Sequence, residues 1–220
     1  FFSGCSLGCV FCQNYQISAG HFGRDIPVER LAEIFLELQE QKANNINLVT
    51  GGHYIPQIVR ALDLVRGKLH IPVVYNSSGY ETVEALRMLK GYVDVYLPDL
   101  KYRSPERSAR YSHAPDYFAV ASKAILEMLD QVGPVQFDGQ GMIQRGLIVR
   151  HMVMPNGVED SMDILTWIAG NLPLDDILVS VMSQYTPFYK SGEYPEIDRR
   201  LSEPLELVNL PYEQYAHKYP

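Results

Sequence analysis

The chain has 220 residues, 46% of them hydrophobic and 20% charged, with a formal net charge of −7. That much apolar material offsets the entropy of ordering, which excludes a disordered chain, and three cysteines cannot staple a protein of this length as a disulfide framework. The acidic balance argues against general nucleic-acid binding, which draws on basic surface, and no run reaches the roughly 20 apolar residues of a membrane span.

No signal peptide is visible, and cytoplasmic location is the default expectation. The chain opens with Phe1-Phe2-Ser3 and no methionine, so the natural N-terminus, with any targeting segment, is expected to be missing.

Apolar runs alternate with amphipathic stretches. Phe1-Phe2 reads as the end of a first strand. Residues 28–42 predict a helix with Pro27 at its first position and Leu31, Ile34, Phe35 and Leu38 on one face. A strand at 46–50 ends in Gly51-Gly52, and a helix follows at about 56–66. The strand at 71–75 ends in the small polar run Asn76-Ser77-Ser78-Gly79. A helix at 81–90 leads to a strand at 93–97. After Asp99 the pattern loosens through Arg110. A longer helix spans roughly 116–132, a strong strand 146–153, a helix 161–170 and a last clear strand 177–182. The tail from 184, rich in tyrosine and proline, stays unassigned.

Six strands with intervening helices imply a parallel sheet and an α/β fold. Six units are too few for a closed eight-fold barrel, so the expected architecture is a partial (β/α)6 barrel. No linker marks a second domain; the core is placed at about 1–185, with 186–220 as a C-terminal extension. In such folds ligands bind at the carboxyl ends of the strands, which directs attention to the loops there.

The cysteines are Cys5, Cys9 and Cys12, in CxxxCxxC spacing, and none follows. Three soft thiolates so close together can wrap one compact inorganic core. Bound to a 4Fe–4S cluster they would leave one iron without a protein ligand, an open position for catalysis. Structural zinc is the alternative; it wants four ligands, and His21 is the candidate fourth.

The CxxxCxxC loop after a first strand, with Phe11 before the last cysteine, resembles the radical S-adenosylmethionine (SAM) superfamily. Phe2-Ser3-Gly4-Cys5 through Cys12-Gln13-Asn14-Tyr15 is similar to the pyruvate formate-lyase activating enzyme family, closest to an uncharacterised paralogous branch. The resemblance covers about residues 1–185. It implies that Cys5, Cys9 and Cys12 hold a 4Fe–4S cluster whose open iron chelates SAM. An electron from flavodoxin or ferredoxin then cleaves SAM, and the resulting 5′-deoxyadenosyl radical takes a hydrogen atom from substrate. In activating enzymes that substrate is a glycine of a partner glycyl-radical enzyme.

The resemblance assigns SAM contacts to Phe11, Gly51, Gly52, Asn76, Ser77 and Arg150, and a monovalent cation to Asp99 in Asp99-Leu100-Lys101. His53 stands where the family usually has an acidic residue facing the ammonium of SAM. His53, Lys101 and His151 complete the candidate set. Arg150 and His151 are adjacent in a strand and must face opposite ways; Arg150 is favoured for the interior because a guanidinium can hold a carboxylate bidentately. Gln184 and Tyr185 follow the last strand and line either the substrate opening or the edge of the core. The 15 tyrosines read as packing residues. Two other readings remain: the same cofactor acting on another peptide or a small molecule, and a non-catalytic zinc- or iron-binding regulatory domain.

Overall fold

The structure, a computed structural model, describes residues 1–201; the rest of the expected C-terminal extension lies outside the described residues. After the cysteine loop come a short helix α1 (Tyr15–Ser18) and helix α2 (Val28–Glu40). Strand β1 (Ile46–Val49) leads through a 3-10 turn (Gly52–Tyr54) into α3 (Ile55–Leu64), then β2 (Val73–Ser77), α4 (Val83–Arg87) and β3 (Val95–Pro98). Helices α5 (Pro105–Ser112) and α6 (Tyr117–Val132) precede β4 (Gln136–Phe137) and β5 (Ile143–Met152). Helix α7 (Val158–Asn171), β6 (Leu178–Met182) and a 3-10 turn (Ser191–Glu193) follow.

The sheet order is β1-β2-β3-β5, with β6 on the C-terminal half of β5 and β4 beside its start. Every pairing is parallel except β4 with β5. This is the expected α/β fold with a mostly parallel sheet and flanking helices. A parallel sheet is covered on its faces, so its strands read as apolar runs. Tyr75, Tyr96, Leu147 and Val149 are fully buried in one hydrophobic core with helix residues such as Ile58, Leu86, Ile125 and Ile164. Burying one such aliphatic side chain contributes about 2 kcal/mol.

Three parts of the sequence reading are corrected. Phe1-Phe2 forms no strand; a single backbone bond runs from the Phe2 N–H to the Val49 carbonyl, 2.9 Å. The β4–β5 hairpin was not anticipated, although Asp138-Gly139 is a turn signal and the Asp138 carboxylate accepts from the Gln140 and Met142 N–H groups at 2.8 and 3.0 Å. Helix α5 occupies the stretch read as loose. Ser104 caps it by accepting from the Arg107 N–H, and Pro105 fits the first turn, where its missing N–H costs nothing.

Residues 186–201, unassigned from sequence, dock against the cysteine loop and α5. The Lys190 N–H donates to the Val10 carbonyl at 2.8 Å, and Glu196 accepts from Arg110 and Tyr111 at 2.6 and 3.0 Å.

Candidate active site

A cavity of about 310 Å³ opens at the carboxyl ends of the parallel strands. Its lining includes Cys5, Cys9 and Cys12 on one side and Asn76, Ser77, Asp99, Lys101 and Arg150 on the other. The volume lies at the lower end of ordinary small-molecule sites.

Strand register builds the second side. A parallel bridge pairs Asp99 with Arg150, extending β3 along β5. Arg150 Nη2 then reaches Asn76 Oδ1 at 2.7 Å and Asp99 Oδ1 at 2.8 Å. Lys101 Nζ donates to Asp99 Oδ2 at 2.5 Å. Burial works against the Lys101 charge, but Asp99 and Cys9 outweigh it and the ammonium titrates above its ordinary value. Two cations around one carboxylate leave the wall with net positive charge. Arg150 Nε is buried without a hydrogen-bond partner, so the wall keeps donor capacity.

The loops carrying these groups are tied together by Tyr117. Its hydroxyl contacts the carbonyls of Ser78 and Asp99 at 2.7 and 2.8 Å as donor and accepts from the Lys101 N–H at 3.0 Å. Gly79 makes the close approach possible. Its φ is +77°, and an added Cβ would lie 2.3 Å from the Asp99 carbonyl oxygen. Thr50, also in the wall, holds a left-handed φ of +59°, a costly conformation for a β-branched residue.

The cysteine loop has no regular structure and is held from outside. Gly8 and Val10 donate backbone bonds to the carbonyls of Ser112 and Tyr111 at 3.2 and 2.9 Å, which are orphan acceptors at the end of α5. Phe11 is buried and packs edge-on against buried Tyr185, ring centroids 5.7 Å apart. Each thiol has a donor nearby: the Leu7 N–H for Cys5 at 3.5 Å, Ser112 Oγ for Cys9 at 3.0 Å, and Ser18 Oγ beside Cys12 at 3.2 Å. Burial pushes the Cys9 thiol up to about 11, opposed by the Lys101 ammonium and the Ser112 hydroxyl.

The sequence candidates divide clearly. Cys5, Cys9, Cys12, Asn76, Ser77, Asp99, Lys101 and Arg150 converge on the cavity. Phe11 does not line it and serves as an anchor of the loop. Gly51 and Gly52 are not in its lining; a Cβ on Gly51 would meet Ile58 at 2.7 Å, so close packing explains that glycine. His53 is exposed on the 3-10 turn and outside the lining. His151 points away, as strand alternation requires: Nδ1 meets the Leu100 carbonyl at 2.7 Å and Nε2 meets Ser161 Oγ at 2.8 Å. Its role is packing between β5 and α7. At the point where a monovalent cation was expected, Asp99 pairs with Lys101 and Arg150, and its buried Oδ1 has no hydrogen-bond partner. Tyr185 belongs to the core and Gln184 is exposed.

Sequence reasoning missed Tyr117, Ser112 and Glu81. Glu81 is buried and accepts from Ser77 Oγ at 3.0 Å. Burial, with nearby Asp99, pushes its carboxyl up to about 7 despite the Ser77 bond. Its only sequence signal is a glutamate two residues past Gly79.

All three cysteines are free thiols. Among the described residues, no three His, Cys, Asp or Glu side chains gather as ligands of a single metal ion, and exposed His21 joins no such group. Cys5, Cys9 and Cys12 line one cavity, and thiolates suit an iron–sulfur cluster as well as zinc. No helix among the described residues is long and apolar enough to cross a membrane.

The chain is 37% identical over 211 residues to the uncharacterized protein MJ0674 of Methanocaldococcus jannaschii, covering 92% of this chain and 57% of that protein. The chain thus spans little more than half the length of that relative. Its fold is similar to a solved structure described as hexahistidine-tagged anSMEcpe with bound AdoMet, with a TM-score of 0.54 and 13% identity over 89% of this chain and 54% of the other. The profile of the radical SAM superfamily matches residues 1–166. Because that match takes in the cysteine loop and every strand that contributes to the cavity wall, the chain belongs to the radical SAM superfamily.

Proposed function

We propose that this protein holds a 4Fe–4S cluster on Cys5, Cys9 and Cys12 and reductively cleaves SAM, acting as a glycyl-radical activase. The observation that carries the cleavage reading is the meeting of three free thiols and a cation-rich strand-end wall in one cavity. When bound and reduced, the cluster supplies the electron that splits SAM into methionine and a 5′-deoxyadenosyl radical, which takes a hydrogen atom from substrate.

The chain's own residues bind and orient. Three thiolates from Cys5, Cys9 and Cys12 would hold the cluster and would leave one iron for the amino and carboxylate groups of SAM. Arg150 and Lys101, only partly neutralised by Asp99, offer the charge that a carboxylate needs. Asn76 is held by Arg150, and Ser77 is held by Glu81. The buried ring of Phe11 and the docked 186–201 segment back the loop and keep water from its inner side.

The activase reading rests on the likeness of residues 2–15 to activating enzymes. Exposed aromatics beside the cavity support a macromolecular substrate: Tyr15, next to lining residue Asn14, stacks on Tyr189 at 4.7 Å, and both rings are exposed. Flavodoxin or ferredoxin is the proposed electron donor.

The test is anaerobic reconstitution with iron and sulfide, then SAM and dithionite. Methionine and 5′-deoxyadenosine are the expected products. A protein that takes up zinc alone and yields no 5′-deoxyadenosine would overturn the reading. Incubation with a glycyl-radical enzyme, read by the glycyl radical signal, tests the activase role; cleavage of SAM without that signal moves the target to another peptide or a small molecule.

A further inference from the structure

The three thiols are not equivalent. Cys5 receives a long backbone contact, 3.5 Å from the Leu7 N–H. Ser18, beside Cys12, gives its single proton to the Asn14 carbonyl at 3.1 Å, and either atom can be the donor in its contact with the thiol. Cys9 alone faces a buried hydroxyl chain. Ser112 Oγ donates to Cys9 Sγ at 3.0 Å, and Tyr102 Oη lies 2.9 Å from Ser112 Oγ. Each of these hydroxyl residues is only 1% exposed. A serine has one proton; because it goes to sulfur, the tyrosine proton must go to the serine oxygen. The order is Tyr102 O–H to Ser112 O–H to Cys9 sulfur.

The scaffold fixes this geometry. Ser112 is the last residue of α5, and its own carbonyl accepts from the Gly8 N–H, one residue before Cys9. Loop and hydroxyl therefore cannot separate without loss of backbone bonds. Away from water, each hydrogen bond in such a chain polarises the next.

We infer that the Tyr102–Ser112 hydroxyl chain is a tuning device that raises the reduction potential of a cluster held at Cys9. The inference rests on the cluster assignment above and adds two positioning residues to it. Reduction adds one electron, supplied by a low-potential donor, and part of its charge falls on the ligating sulfurs. No proton moves and no covalent bond changes. A donor aimed at sulfur favours the more negative state, so it makes the electron easier to add. Burial enlarges the effect, because no water replaces a lost donor.

The experiment is a redox titration of the reconstituted protein with dithionite, followed by electron paramagnetic resonance. Ser112→Ala should make reduction about tenfold less favourable, a fall of about 59 mV for one electron. Tyr102→Phe keeps the serine and should shift the potential the same way by less. Ser18→Ala, at the more open contact, should shift it less than Ser112→Ala, and Ser112→Thr should restore most of the loss. Assembled clusters in Ser112→Ala and Tyr102→Phe that both titrate at the wild-type potential would overturn the inference and leave SAM cleavage standing. Should Ser112→Ala assemble no cluster, Tyr102→Phe decides alone: a lowered potential supports the chain and an unchanged one refutes it. A wild-type protein that assembles no cluster refutes the cluster assignment itself.

Discussion

The two sides of the cavity are built by opposite means. Register in the parallel sheet places Asn76, Asp99 and Arg150 side by side, so their positions follow from strand pairing. The cysteine loop has no ladder of its own and borrows the end of α5, about a hundred residues away, together with the segment around Lys190. One wall is set by strand pairing. The other depends on contacts distant in sequence.

Variants can break one side at a time. Replacing Cys12 by alanine removes one of three ligands and should abolish cluster assembly while thermal unfolding stays close to wild type. Iron and sulfide analysis checks this, and an intact cluster would contradict the ligand assignment. Gly79→Ala strikes the strand-end side through its backbone: a Cβ 2.3 Å from the Asp99 carbonyl, at φ +77°, should cost on the order of 3 kcal/mol or more in denaturant unfolding.

Glu81 gives that side a pH signature. Its carboxyl rises from 4.5 to about 7 on folding, so the folded chain keeps a proton that the unfolded chain releases. Its contribution is fully present below 4.5 and is lost as pH rises through about 7, on the order of 2–3 kcal/mol. Glu81→Gln should flatten this slope between pH 5 and 8; parallel slopes would show that the carboxyl titrates normally. Arg150→Met should leave the cluster in place and weaken SAM binding by roughly thirtyfold, about 2 kcal/mol, as measured by calorimetry. Tyr117→Phe loosens the tie between the loops and should cost about 1 kcal/mol of stability, with a small rise in the dissociation constant for SAM.

Much of the strand-end side was legible in the sequence because alternation and position settle it. Arg150 and His151 had to face opposite ways, and Arg150 does face the cavity. That the three cysteines share one cavity was legible from their spacing. What escaped was long-range. Nothing local says that Ser112 meets Cys9 or that Tyr117 bridges two loops, since both contacts depend on how α5 and α6 return to the sheet. Helix α5 itself was readable from Ser104-Pro105-Glu106, but its charged exposed face hid the buried Ser108, Tyr111 and Ser112. Phe11 and His53 were assigned through family likeness; packing put one into the core and the other at the surface.

The central claim is that both sides serve one ligand set. The most direct measurement is the electron paramagnetic resonance spectrum of the reduced, reconstituted protein with and without SAM. A spectrum that changes on adding SAM in the wild type, and needs roughly thirtyfold more SAM for the same change in Arg150→Met, is the predicted result. Identical wild-type spectra with and without SAM would contradict it.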